Sequence, residues 1–221
     1  MPAESALRDG VGPGLGLIET LRWQPGNGFV RLDRHLARLG ASAHALGLDF
    51  DPHRIVPALE DTVGESANAL RVRLLLSRNG HAEVSAHPYE PLPEGRTWTL
   101  RLARRTRLSS SDPLLRHKTS RRDAYVRARA EYGPAEADEV LLANERGELC
   151  EGTITTLFAD FGDGVLATPP LECGLLAGVL RAEMLEEGRA REAVFGPQEL
   201  KSAAAVFVGN SLRGLIPARL A

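Results

Sequence analysis

Two lysines, Lys118 and Lys201, stand among the 27 basic residues of this 221-residue chain, and all the others are arginines. An arginine can replace a lysine as a surface cation, but its guanidinium stays protonated and does not attack a carbonyl. Three arginines crowd Lys118 within residues 116–122, and neighbouring cations favour the neutral, nucleophilic form of an amine. Lys201 follows a Gly-Pro pair in a polar segment typical of an exposed helical turn. The pattern points to amine chemistry at Lys118, with an ordinary basic surface strip as the alternative.

A lysine that binds the aldehyde of a cofactor such as pyridoxal phosphate needs further groups for the rest of that molecule. An acid must keep the ring nitrogen protonated, and Glu151 is a candidate where a strand meets a glycine. A phosphate needs backbone N–H groups at a helix start, together with hydroxyl and cationic donors. The candidates are Val179 and Leu180 at a helix start, Ser211 after a strand and Arg38 on a helix. The alternatives are a glutamate in a surface turn, an ordinary helix start, a loop serine and a solvated arginine.

Composition narrows the class of protein. The chain is 43% hydrophobic, and its 29 acidic residues leave a net charge of -2, so we expect a packed core and neither nucleic-acid nor membrane binding. Cys150 and Cys173 are too few for a disulfide framework, and no His or Cys pair has metal-ligand spacing. No apolar stretch approaches the roughly 20 residues of a membrane span, and residues 1–4 do not open a signal peptide. These features favour a cytoplasmic protein without a metal site.

The residues with candidate chemistry lie on elements that hydrophobic periodicity predicts. Residues 1–107 form a predicted α+β domain, whose first helix is capped by Asp33 and ended by Gly47. Its other elements are predicted as a hairpin at 17–23 and 29–32, a helix at 54–63, a hairpin at 70–76 and 82–86, and a strand at 97–103.

A polar, proline-containing stretch at 108–113 is predicted to be a linker, and 114–221 a second domain. A helix is expected from Lys118 to about Tyr132, and another from Leu175 to near Gly188. The strands are expected at 139–143, through 149–150, at 157–158, at 165–166 and at 205–208.

The order of several segments resembles the class IV aminotransferases, the fold type IV pyridoxal phosphate enzymes, from about Leu17 to the C-terminus. The matching segments are 19–22, 35–39, 118–119, 138–142, 144–147, 151–153, 157–158, 168–170 and 174–181. The resemblance implies two domains, a small N-terminal α+β domain and a barrel-like C-terminal domain, as in D-amino acid and branched-chain aminotransferases. It also implies that Lys118 binds pyridoxal 5'-phosphate covalently, that Glu151 contacts the pyridine nitrogen, and that Arg38, Val179, Leu180 and Ser211 hold the phosphate. Leu180 departs from the family, because many members have a threonine there.

Within this family, residues 117–122 and 207–214 are most similar to 4-amino-4-deoxychorismate lyases. The similarity implies release of pyruvate and 4-aminobenzoate for folate synthesis, with a small-molecule amine as substrate. An aminotransferase for branched-chain or D-amino acids is the alternative, since both reactions share their first steps. The resemblance further implies a homodimer, with Arg22 near the partner's site.

Overall fold

The first long strand of the chain lies in the middle of a small antiparallel sheet. The computed structural model describes residues 14–221, and they divide into two units, one up to Pro91 with His117–Arg121, the other Leu92–Arg116 with Arg122–Ala221. The first unit contains strands β1 (Leu17–Gln24), β2 (Gly28–Phe29), β3 (Leu70–Leu76) and β4 (Ala82–Pro88) and helices α1 (Leu32–Leu46) and α2 (Pro52–Val63). Its strands pair antiparallel in the order β2-β1-β3-β4. Both predicted hairpins and both predicted helices of this half are confirmed.

The sequence predicted the end of α1 correctly but not its beginning. Gly47 ends the helix in a left-handed conformation with φ 68°, and its N–H bonds to the carbonyls of Ala43 and His44. The predicted stop is therefore confirmed. The predicted N-cap is wrong, because the helix begins at Leu32 after Arg31, which has φ 60°. Asp33 lies inside the first turn, where its negative charge interacts favourably with the positive end of the helix dipole.

The second unit is built on one large sheet. Its strands are β5 (Trp98–Leu102), β6 (Glu139–Ala143), β7 (Leu149–Gly152), β8 (Thr156–Asp160), β9 (Leu166–Thr168), β10 (Ala190–Glu192), β11 (Ala205–Asn210) and β12 (Gly214–Leu220). They pair in the order β10-β9-β8-β11-β12-β5-β6-β7, and β7 also pairs with β8. That pairing closes the strands from β8 round to β7 on themselves, so the unit is barrel-like. The α+β fold class with a small sheet domain and a barrel-like second domain is confirmed.

Three α-helices belong to the second unit: α3 (Asp123–Arg129), α4 (Val179–Glu186) and α5 (Pro197–Lys201). The core between the strands consists of buried aliphatic side chains from neighbouring strands, among them Leu100, Leu141, Leu157, Val208 and Ile216. Their burial removes apolar surface from water, which is the dominant favourable contribution to folding. Within residues 14–221, no helix is both long enough and apolar enough to cross a membrane.

Several elements of the second unit differ from their predicted bounds. The strand predicted at 97–103 is β5, and it pairs in parallel with β6 and β12 in the larger sheet. The helix predicted from Leu175 begins at Val179, because Gly178 is still extended with ψ 138°. Strand β12 was not predicted. It contains Pro217, which weakens a strand signal because proline cannot donate to the ladder.

Candidate active site

The segment around Lys118 is fixed by the beginning of β1. The N–H of Ile18 donates to the carbonyl of Lys118 at 2.7 Å, and the N–H of Ser120 donates to the carbonyl of Gly16 at 2.8 Å. Leu17 and Thr119 form an antiparallel bridge between these two pairs. The backbone around Lys118 is therefore held against β1 by this bridge and the two flanking hydrogen bonds.

Arg38, on α1, is bound by a carboxylate of the same strand. Its Nε donates to Glu19 Oε1 at 2.8 Å and its Nη2 to Glu19 Oε2 at 2.5 Å, while His35 Nδ1 lies 2.6 Å from Glu19 Oε2. Glu19 is only 2% exposed. Burial raises the pKa of Glu19, but the charge of Arg38 and the hydrogen bonds from His35 and Arg38 outweigh burial and hold that pKa at about 2. The predicted solvated alternative for Arg38 is thus replaced by a paired, oriented guanidinium.

Replacing Glu19 with Gln is expected to destabilise the protein by about 3 kcal/mol at pH 7, since each pKa unit corresponds to about 1.4 kcal/mol. The pKa of Glu19 is lower in the folded chain, so its contribution is present above about pH 4.5 and lost as the pH falls towards 2. The free energy of unfolding in urea at pH 7 and pH 3 measures this, and the difference from wild type should shrink at pH 3. Glu83→Gln, at an exposed position of β4, is the control. Equal stabilities of wild type and Glu19→Gln at pH 7 would contradict the argument.

In the second unit, Glu151 lies at the start of a row that crosses three strands. Glu151 on β7 is the register partner of Thr156 on β8, and Thr156 is the partner of Gly209 on β11. The hydroxyl of Tyr125, on α3, donates to Glu151 Oε1 at 2.7 Å. Burial, together with the negative charge of Glu151, raises the pKa of Tyr125 well above its usual range. The phenol therefore stays protonated and remains a donor to Glu151.

The beginning of α4 stands over the middle of this row. No side chain caps the helix at Gly178, and a Cβ built there would lie 2.8 Å from Thr156 Oγ1. A Cβ at Gly209 would lie 2.8 Å from Leu180 Cδ2. The two glycines thus allow the helix start, Thr156 and the end of β11 to approach one another closely. The N-terminus of a helix in such a place attracts an anion through its N–H groups and its dipole.

Four of the six predicted site residues, Glu151, Val179, Leu180 and Ser211, belong to the second unit, and all four are buried. Lys118 and Arg38 belong to the first unit, where both are connected to β1. The roles assigned to all six remain predictions. Sequence reasoning missed Thr156 and Tyr125, whose importance follows from strand register and from a contact 26 residues apart.

The two cysteines do not provide a competing nucleophile. Cys150 and Cys173 are both free and buried. Burial raises the pKa of Cys150 well above its usual range, and burial with a hydrogen bond to Glu148 raises that of Cys173 to about 11. A thiol attacks through its thiolate form, so neither side chain is activated at neutral pH. Lys118 remains the better candidate for attack on a carbonyl.

Comparison of this chain with known proteins indicates its family. A crystal structure described as that of a candidate amino-acid aminotransferase from Mesorhizobium loti has a TM-score of 0.92 and 65% identity, covering 94% of this chain and all of that one. A protein of Schizosaccharomyces pombe described as a candidate aminodeoxychorismate lyase is 32% identical over 188 residues, 82% of this chain and 80% of that protein. A structure of 4-amino-4-deoxychorismate lyase from Pseudomonas aeruginosa has a TM-score of 0.79 and 29% identity, covering 93% of this chain and 82% of that one. The model of the family amino-transferase class IV matches residues 16–221. The chain therefore belongs to the class IV aminotransferase family.

Proposed function

We propose that this chain is a pyridoxal phosphate-dependent 4-amino-4-deoxychorismate lyase that releases pyruvate and 4-aminobenzoate. The observation that carries the proposal is the carboxylate of Glu151, which is buried, receives the Tyr125 hydroxyl, and lies in one row with Thr156 beneath the start of α4. An oriented carboxylate close to an anion site is what a cationic ring bearing a phosphate requires. The similarity to lyases of Schizosaccharomyces pombe and Pseudomonas aeruginosa supports the choice of reaction.

The donor groups fit the chemistry of this cofactor. Its aldehyde matches the amine of Lys118, and its pyridine nitrogen matches the carboxylate of Glu151. Its phosphate matches the backbone N–H groups of Val179 and Leu180, the Ser211 hydroxyl and the Arg38 guanidinium. A Cβ at Gly178 would collide with Thr156 Oγ1, and a Cβ at Gly209 would collide with Leu180 Cδ2, each at 2.8 Å. The two glycines therefore allow the start of α4 to lie close to Thr156 and to the end of β11, which supports this helix start as the phosphate site.

When bound, the cofactor withdraws electrons from the amine-bearing carbon of the substrate. Once the substrate amine has replaced Lys118 at the aldehyde of the cofactor, the freed amine of Lys118 would take the proton from that carbon as a base. The electron pair left behind would expel the enolpyruvyl group as its enolate, and the ring would become aromatic. The proton held by Lys118 would return to this enolate, which leaves as pyruvate. Glu151 keeps the pyridine nitrogen protonated, while Tyr125 orients the Glu151 carboxylate through its hydrogen bond. The reaction consumes no water and no second substrate.

The experiment that tests the proposal supplies aminodeoxychorismate to the protein loaded with pyridoxal phosphate. Pyruvate is measured with a coupled lactate dehydrogenase assay and 4-aminobenzoate by chromatography. We expect the two products in equal amounts. Cofactor binding without either product would contradict the lyase, whereas failure to bind the cofactor would contradict the whole proposal.

An aminotransferase is the second candidate, because the protein of 65% identity is described as a candidate amino-acid aminotransferase. The same loaded protein is therefore offered branched-chain and D-amino acids together with 2-oxoglutarate. Formation of glutamate without release of 4-aminobenzoate from aminodeoxychorismate would favour this candidate over the lyase.

Replacing Gly178 with Ala is expected to weaken the affinity for pyridoxal phosphate by about tenfold, since a crowded methyl group typically costs 1–3 kcal/mol. The backbone at Gly178 has φ -69°, which any residue adopts, so the added Cβ 2.8 Å from Thr156 Oγ1 is the only obstacle. Fluorescence titration with pyridoxal phosphate measures the Kd. Gly133→Ala is the control, because its Cβ would meet only the end of the Glu136 side chain, at 3.2 Å. Equal Kd values for Gly178→Ala and wild type would argue against a cradle at this helix start.

We also propose that the enzyme is a cytoplasmic homodimer whose product enters folate synthesis, as the family resemblance implies. The two free cysteines are consistent with a reducing compartment. Light scattering after size-exclusion chromatography distinguishes a dimer from the 23.9 kDa monomer.

A further inference from the structure

The carboxylate of Glu139, at the start of β6, is fully buried at 0% exposed. Within residues 14–221 it accepts five hydrogen bonds, and none of the donors is charged. They are the N–H groups of Val140 (2.9 Å), Thr153 (3.0 Å) and Ile154 (3.1 Å) and the hydroxyls of Thr153 (2.5 Å) and Thr155 (2.8 Å). A buried carboxylate is costly unless hydrogen bonds satisfy it. Four of these five donors come from one turn, so the turn and the carboxylate depend on each other.

That turn joins β7 to β8 and connects Glu151 directly to Thr156. The N–H of Gly152 donates to the carbonyl of Thr155 at 2.8 Å, which closes the turn. A Cβ at Gly152 would lie 2.7 Å from Glu139 Oε2, so the carboxylate occupies the inside of the turn. Arg122 also donates to the carbonyl of Thr153, and Asn210 Nδ2 donates to the carbonyl of Ile154 at 3.1 Å. Three side chains outside the turn therefore hold it, and the largest number of contacts comes from Glu139.

We propose that Glu139 is a positioning residue, which acts on the reaction by fixing the distance and orientation of Glu151 and Thr156 relative to each other. This inference rests on the proposed function. Glu151 and Thr156 are register partners at the two ends of the turn, so any relaxation of the turn moves one against the other. An amide in place of the carboxylate loses acceptors for several of the donors, and unpaired buried donors drive the backbone to rearrange. Glu139 itself reaches neither substrate nor cofactor in this proposal.

Glu139→Gln tests the role, with Glu131→Gln as a matched control. Glu131 also accepts backbone N–H groups and a threonine hydroxyl, but these belong to residues 104–106, which contain none of the predicted site residues. In the protein without cofactor, amide hydrogen exchange at 153 and 154 should become at least about tenfold faster in Glu139→Gln and stay unchanged in Glu131→Gln. In the protein loaded with pyridoxal phosphate, kcat should fall by about 100-fold in Glu139→Gln and stay unchanged in Glu131→Gln.

A double-mutant cycle with Glu151→Gln separates positioning from general stability. If Glu139 acts through Glu151, Glu139→Gln should lower kcat by less than about threefold when Glu151 is already Gln. Thr155→Val, which removes one donor from the carboxylate, should lower kcat in the same direction by about fivefold, and it provides the test if Glu139→Gln does not fold.

The outcomes distinguish this role from the proposed function. Unchanged exchange at 153 and 154, or an independent, additive loss of kcat in the cycle, would overturn the positioning role and leave the function standing. A wild-type protein that does not bind pyridoxal phosphate would overturn both.

Discussion

Lys118→Ala is expected to lower kcat by at least about ten-thousandfold, because the amine that binds the cofactor and the base that moves the proton are lost together. The fold should survive the change. One contact of this residue with β1 is made by its carbonyl, which accepts from Ile18 N–H, and alanine keeps that bond. Steady-state kinetics on the cofactor-loaded variant measures the effect, and unfolding in urea checks its stability.

Lys201 provides the control, since it is the only other lysine of the chain and lies exposed at the end of α5. Lys201→Ala should retain wild-type kcat. Borohydride reduction of the loaded protein followed by peptide mass mapping gives an independent readout, because two lysines produce two distinguishable peptides. The mass of the cofactor is expected on the peptide containing Lys118. Its appearance on the peptide containing Lys201 instead, or full activity in a loaded Lys118→Ala protein, would refute the assignment.

Local sequence signals were sufficient for much of the fold. The turn residues of the hairpin between β3 and β4, and Gly47 after α1, act within a few residues of the structure they determine. Strand β12 required a different kind of information. Its pairing with β5 joins residues more than a hundred positions apart, and Pro217 obscures its local signal. The parallel pairing of β5 with β6 also joins segments that are distant in the chain, and local propensity does not specify it.

The sequence predicted individual residues of the candidate site, but it did not predict the contacts between them. Lys118 and Glu151 carry types of side chain that suggest their chemistry, and the family resemblance supplied the roles of the others. Glu139 was predicted only as the start of a strand within a segment that resembles the family. Its importance appears only when the turn after Glu151 folds back on it, with donors 14 to 16 positions away. The role of Glu19 likewise depends on its hydrogen bonds with Arg38, which is adjacent in space but 19 residues later in the chain.

Glu151→Gln is expected to lower kcat by about 100-fold to 1000-fold, the range typical of removing one preorganised electrostatic contact from a catalytic site. A carboxylate beside the pyridine nitrogen favours its protonated form, whereas an amide carries no charge and cannot do so. The affinity for pyridoxal phosphate should change much less, because the phosphate and the aldehyde have other partners. Glu172→Gln, at an exposed position in the turn before α4, is the control and should keep wild-type kinetics.

Tyr125→Phe tests the same carboxylate from its other side. The variant removes only the hydroxyl that donates to Glu151 Oε1 at 2.7 Å, and a hydrogen bond to a charged group is typically worth 1.5–3 kcal/mol. We therefore expect kcat to fall by about tenfold, with Kd for pyridoxal phosphate close to wild type. In the Glu151→Gln background, Tyr125→Phe should have little further effect, because the charge that the phenol orients is already gone. If instead Glu151→Gln turned over at the wild-type rate, another group would have to protonate the ring, and the hydrogen bond between Tyr125 and Glu151 would serve only to hold α3 against the barrel-like sheet.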